Sequence, residues 1–174
     1  MRNILLIFIY LFIAGCKSTS ENKANTASAR TEISDQKNAF PASLGYVSDF
    51  ENTLTEQQIA ELNKILSDYD LKTSNQIAIV SVEKTLTEDE FYKYALDLSN
   101  NWGFGTEEKD NGLTIVYSKK LHAIRICTGV GTEKILTDEI CEDVIRNHIL
   151  PQFRKDDYYS GLKNGVQQFI EKWK

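Results

Sequence analysis

From residue 45 to the C-terminus the hydrophobic and polar positions change rhythm several times, and each change marks an element. Thr55-Glu56-Gln57-Gln58 is a capping box, and Ile59, Leu62, Leu66 and Tyr69 follow at helical spacing, so this stretch reads as a helix with one inward face. Residues 76–82 form a nearly unbroken apolar run, as a buried strand does. A second capping box, Thr87-Glu88-Asp89-Glu90, opens a helix whose inner face is Phe91, Ala95, Leu98 and Trp102. Residues 113–118 and 121–128 are rich in β-branched and aromatic residues and predict an antiparallel hairpin. If Lys119 and Lys120 make the turn, Ser118 faces Leu121, Thr114 faces Arg125 and Asp110 faces Gly129. Lysines suit a tight primed turn poorly, so the register is open to a slip of a residue or two, which the meeting of the two strand ends survives. A third helix begins near Thr137-Asp138, carries Ile140, Cys141, Val144, Ile145 and Ile149, and is expected to stop at Pro151. A fourth places Leu162, Val166, Phe169, Ile170 and Trp173 along one face.

Strands between helices predict an α/β fold, and the strand, helix, strand step from Gln76 to Ser118 predicts a parallel crossover. Along the hairpin, Leu113, Ile115 and Tyr117 align with Ile124 and Ile126 on one face, and Thr114 and Val116 with Ala123 and Arg125 on the other. Four helices around a small mixed sheet that includes this hairpin imply cover on both faces, a three-layer α/β/α sandwich.

The pattern upstream is of another kind. Arg2, the apolar run 4–13 and then Ile13-Ala14-Gly15-Cys16 make residues 1–16 a leader peptide, too short for the ~20 residues of a bilayer span. Small residues just before a cysteine resemble a bacterial lipobox, in which cleavage leaves Cys16 as the lipid-bearing terminus, palmitate among its acyl chains. Residues 17–44 are mostly Ser, Thr, Asn, Lys, Ala and Glu, too polar to offset their ordering entropy, and predict a tether with a root-mean-square span of roughly 30 Å. Residues 45–174 then form one domain, expected to be lipid-anchored in the cell envelope outside the cytoplasm, in the periplasm where there are two membranes.

A formal net charge of −5, with no basic stripe interleaved with aromatics, argues against a nucleic-acid partner. Gly129-Val130-Gly131 lacks the third glycine of a dinucleotide loop, since Lys134 stands there, and no Gly-Lys-Ser/Thr exists, so nucleotide binding is not expected. Cys127 lacks the arginine six positions on that a cysteine phosphatase loop needs, that place being Glu133. Cys127 and Cys141 could pair in an oxidising compartment, but both positions read as inward-facing, which favours two buried thiols. His122 and His148 have no legible catalytic partner and read as structural.

The strongest candidate site is the place where the hairpin ends meet. Asp110-Asn111-Gly112 enters one strand, Gly129-Val130-Gly131-Thr132-Glu133 leaves the next, Asp138 follows, and Asp49 is expected at the same rim. Several carboxylates around glycine turns are what a hard cation requires, calcium or alternatively magnesium, although no helix-loop-helix calcium loop is present. Glu133 and Asp138 equally suit helix capping and dipole complementation. Arg125, mid-strand on the less apolar face, pairs with a carboxylate or holds a phosphate near that rim.

Val47-Ser48-Asp49, Trp102-Gly103-Phe104-Gly105, Lys109-Asp110-Asn111-Gly112, Arg125, Gly129-Val130-Gly131-Thr132-Glu133, Leu136-Thr137-Asp138, Pro151-Gln152-Phe153 and Asp157-Tyr158-Tyr159-Ser160-Gly161-Leu162 resemble, in that order, the TPM domain. The likeness spans nearly all of residues 45–170. Cys127 and Cys141 are not part of the pattern, and residues 155–158 carry no glycine where the family often has one. The resemblance implies an α/β/α sandwich, secreted, lumenal or membrane-tethered, and calcium at Asp49, Asp110, Glu133 and Asp138. One branch of the family is associated with acid phosphatase activity and photosystem repair, another with modulation of an ion-channel receptor, so the fold alone does not set the function. Two readings follow: an accessory module whose calcium-ordered loops contact another envelope protein, and a metal-assisted phosphomonoesterase with Arg125 stabilising charge and a rim carboxylate as base.

Overall fold

A computed structural model describes residues 40–174. The leader with Cys16, and residues 17–39 of the tether, lie outside the described residues. The elements run β1 (Val47–Asp49), α1 (Glu56–Thr73), β2 (Gln76–Ser81), α2 (Glu88–Trp102), β3 (Gly112–Ser118), β4 (Ala123–Thr128), a single turn α3 (Val130–Glu133), α4 (Asp138–Val144), a π-helical stretch (Ile145–Ile149), α5 (Leu150–Phe153) and α6 (Tyr158–Lys172). Among the described residues no helix is long and apolar enough to cross a membrane.

Both capping boxes form. Thr55 Oγ1 accepts from Gln58 N at 3.3 Å while Gln58 Oε1 accepts from Thr55 N at 2.8 Å, and Thr87 and Glu90 make the same exchange at 3.4 and 2.8 Å. Each box satisfies two N–H groups that a helix start leaves unpaired. The exposed Glu90 carboxyl is held below the usual range by the Thr87 backbone N–H and hydroxyl it accepts from.

The strands form one sheet in the order β1-β2-β3-β4, parallel through the first three and antiparallel at the last. On one face Ile77, Ile79, Leu113, Ile115 and Tyr117, with Ile124 and Ile126, pack against α1, α4 and α6 through Leu62, Leu66, Val144, Leu162, Val166 and Phe169. On the other, Val80, Val116 and Cys127 meet Phe91, Ala95 and Leu98 of α2. The three-layer sandwich therefore has one helix on one side and the remainder on the other. Truncating Phe91 or Leu98, both fully buried, would cost about 3 kcal/mol.

Four details depart from the pattern reading. The hairpin pairs Thr114 with Cys127, Val116 with Arg125 and Ser118 with Ala123, two residues out from the tight-turn register. The loop is Lys119–His122, with His122 at φ 51° absorbing the reversal that two lysines could not. An even slip keeps every side chain on its expected face. The third helix does not stop at Pro151: it continues through the π-helical stretch, where Leu150 N donates to Ile145 O, and Pro151 sits in the first turn of α5. The wider turn accommodates a residue that has no N–H to give. β1 went unread because three residues carry no periodicity. Phe40 and Pro41, inside the span read as tether, touch the domain: the Phe40 ring lies 5.2 Å from that of Tyr94, and Pro41 O accepts from Trp102 Nε1 at 2.9 Å.

Candidate functional site

The two glycine segments meet as expected. Gly129 N donates to Gly112 O at 2.9 Å and Gly131 N to Asp110 O at 3.0 Å, extending the β3–β4 ladder past both strands. The backbones approach so closely that a Cβ on Gly131 would lie 1.9 Å from Lys109 O. Asp110, at φ 47°, turns its carboxylate across the gap, and Oδ2 accepts from Val130 N at 2.8 Å. Asp110 thus caps α3, and Thr132 Oγ1 ties that turn to Gly112 O at 2.9 Å. Glu133 ends the turn, exposed.

Asp49 is not there. In the parallel part of the sheet Asp49 pairs with Ser81 and Ser81 with Tyr117, whereas Asp110 precedes the start of β3. The two residues therefore stand at opposite ends of the sheet, about 23 Å apart along the strand direction at ~3.3 Å per residue. Asp49 Oδ1 accepts from Ser81 Oγ at 2.7 Å and Thr53 Oγ1 at 3.2 Å, and Oδ2 from Leu54 N at 2.7 Å. Thr53 Oγ1 is also 2.6 Å from the Tyr117 hydroxyl. Burial and then the Asp49 charge drive the Tyr117 phenol far above its ordinary pKa. Glu51, two residues on, accepts from Lys119 N at 2.6 Å, Lys120 N at 3.1 Å and Ser118 Oγ at 3.2 Å, fastening the hairpin loop to the end of β1. Sequence reading missed this carboxylate because its donors, two backbone N–H groups and the Ser118 hydroxyl, lie far along the chain.

Asp138 belongs to a third place. It lies in the first turn of α4 and lines a groove of about 760 Å³ with Arg125, Ile124, Ile126, Tyr92 and Glu142. Arg125 Nη1 donates to Tyr92 O at 2.6 Å with the guanidinium 5.9 Å from the Tyr92 ring, so the cation is fastened to α2. Arg125 pairs with Val116, six residues on from Asp110, which sets it about 20 Å from the Asp110 turn. It does not join a phosphate site at that rim.

Among the described residues Cys127 and Cys141 are free thiols, packed on opposite faces of the sheet. Burial pushes the Cys127 thiol up, and burial followed by the charge of Asp138 pushes Cys141 to about 11. Raised thiols are poor nucleophiles at neutral pH.

β4 is an edge strand, as β1 is on the other side of the sheet. The Gly112–Gly129 and Asp110–Gly131 bonds fix the alternation of the ladder, so Ala123, Arg125 and Cys127 bond to β3 while Ile124 and Ile126 turn N–H and C=O outward. Among the described residues no hydrogen bond reaches those outward groups. The groove runs along this edge, walled by Tyr92 and Glu88 of α2 on one side and Asp138, Cys141, Glu142 and Ile145 on the other.

A family model for the TPM domain matches residues 47–172. The chain belongs to the TPM domain family. Three solved structures share the TPM fold seen here. The N-terminal domain of a protein from P. gingivalis is 25% identical, TM-score 0.66, the match covering 82% of this chain and 85% of that one. The BA42 protein from the psychrophilic Bizionia argentinensis is 20% identical, TM-score 0.61, covering 71% and 83%. The N-terminal domain of the cg2496 protein from Corynebacterium glutamicum is 14% identical, TM-score 0.54, covering 76% and 83%. No curated protein matches the chain.

The calcium that the TPM resemblance implies at Asp49, Asp110, Glu133 and Asp138 does not fit this arrangement. The four stand at three separate places, and Asp49 and Asp110 spend carboxylate oxygens on N–H and O–H donors of the protein. Among the described residues no three of His, Cys, Asp and Glu gather as metal ligands, whereas calcium takes six to eight oxygens.

Proposed function

We propose that this TPM domain is a non-enzymatic binding module, held at the cell envelope through lipid on Cys16, that takes a protein partner in the groove beside β4. The open edge carries the reading: a strand with unpaired N–H and C=O groups, set in a groove whose walls are both polar and apolar, is a surface suited to protein recognition. The Ile13-Ala14-Gly15-Cys16 sequence supports the anchor, and the polar stretch after it supports a tether long enough to clear lipid head groups. Phosphomonoester hydrolysis is the weaker reading. Its arginine is fastened to Tyr92, away from the Asp110 carboxylate that would serve as its base.

Photo-crosslinking in intact cells tests it. A photoreactive residue replacing Ile124 should give a discrete adduct with another envelope protein, and one at Gln168 on α6 should not. Equal labelling from both positions would refute the module. Hydrolysis of a generic aryl phosphate that Asp110→Ala or Arg125→Ala abolishes would refute the non-enzymatic part.

A further inference from the structure

The geometry points to an extended, basic segment of a partner protein that adds to β4 as a fifth strand of the sheet. This deepens the binding-module reading and rests on it. Three observations lead there. The first is the direction of the backbone: Ile124 and Ile126 present donors and acceptors outward, and β4 is less covered than β3, all of whose residues are buried. An added strand would satisfy those groups in the way β3 satisfies their neighbours.

The second is room. The groove beside β4 has a volume of about 760 Å³ between residues of α2 and of α4, and an added strand would lie 4.7–4.9 Å from β4 in the hydrogen-bonding direction. Side chains of such a strand would alternate between Tyr92 on one wall and Cys141 and Ile145 on the other.

The third is charge, and it selects the occupant. Glu88, Asp138 and Glu142 line the groove with one guanidinium, that of Arg125, which is already bonded to Tyr92 O; Glu142 also meets Arg146 of the π-helical stretch at 3.5 Å, a solvent-exposed and weak pair that leaves the groove acidic. Asp138 and Glu142 are one helical turn apart on α4, about 6 Å along the axis. Alternate residues of a strand recur every ~6.6 Å, so lysines or arginines two apart on one face match the two carboxylates. The same carboxylates disfavour a second copy of this chain, whose own edge would bring like charges together. Arg125 fits the scheme as an edge guard: a charge on an exposed strand discourages indiscriminate pairing.

The test uses the full-length chain in detergent and a blocked nine-residue peptide alternating lysine with valine. Titration should shift the backbone amides of Ile124 and Ile126 and slow their hydrogen exchange at least tenfold. A peptide alternating glutamate with valine should bind at least tenfold more weakly, and so should the lysine peptide with alternate backbone amides N-methylated. The exposed pair D138K/E142K should lose at least tenfold in affinity for the lysine peptide while the amides of β2 stay where they were. Equal binding of the N-methylated peptide would overturn strand addition while leaving the binding module standing, as would equal binding of the glutamate peptide for the charge argument. Shifts of the β4 amides with protein concentration alone would give the edge to a second copy and overturn the proposal. No change along the groove with any peptide, together with no adduct from position 124 in cells, would overturn both.

Discussion

Substituting Gly131 by alanine probes the crossing of the two glycine segments, on which the hairpin's far end depends. The new methyl would stand 1.9 Å from Lys109 O and 3.1 Å from Asp110 O, both backbone atoms that no rotamer change can move. Reaching an ordinary contact of ~3.4 Å separates the two stretches by about 1.5 Å. That displacement strains the Gly131 N to Asp110 O bond, now 3.0 Å, and the Asp110 cap on Val130 N, now 2.8 Å. Overpacking contributes about 1–3 kcal/mol and each of the two weakened hydrogen bonds about 1 kcal/mol, so the expected loss is about 3–5 kcal/mol. For a domain of this size that lowers Tm by about 11–18 °C. Gly103→Ala is the comparison: a Cβ there meets nothing within 4 Å, and only the φ of +63° counts against it, about 1 kcal/mol. Urea unfolding of both variants decides. A Gly131→Ala loss no larger than that of Gly103→Ala would refute the close crossing.

Asp49→Asn should cost about 2 kcal/mol in urea unfolding, because a charged acceptor of two hydroxyls and the Leu54 N–H is replaced by a neutral amide; a loss under about 0.5 kcal/mol would remove it as the clasp of the β1 end. The Cys141 thiol, raised to about 11, favours the folded state while protonated, a contribution fully present below the unfolded thiol's pKa and lost as pH rises through the folded one. Wild type should therefore lose stability between pH 9 and pH 11 relative to Cys141→Ala, and parallel pH profiles would contradict the burial argument. Cys16→Ser should release the protein from membranes into the soluble fraction, and unchanged sedimentation with membranes would contradict lipid anchoring at that residue.

Local chemistry made the helices readable. Thr55 and Thr87 with their partners three residues on mark two helix starts, and the apolar spacing behind each marks its buried face. The two faces of the hairpin were also legible, because a slip of two residues leaves Ile124 and Ile126 on the same side as Ile115 and Tyr117. Pro151 misled because the sequence does not advertise a π-helical stretch that can carry a proline past the point where an α-helix would end. The carboxylates misled for a topological reason. Asp49 leaves its parallel strand at the end where β3 finishes, and Asp110 stands where β3 begins, a distinction that order along the chain does not encode. That β4 has no further neighbour depends on the unread β1 pairing with β2, and Asp138 and Glu142 beside that edge required the packing of α4.

Amide hydrogen exchange along β4 in the free chain tests the open edge most directly. The account predicts alternation: Ile124 and Ile126 exchange many-fold faster than Arg125 and Cys127, whose N–H groups are bonded to β3. Uniform protection of all four would show the edge already covered, and would contradict the groove as a place for a partner strand.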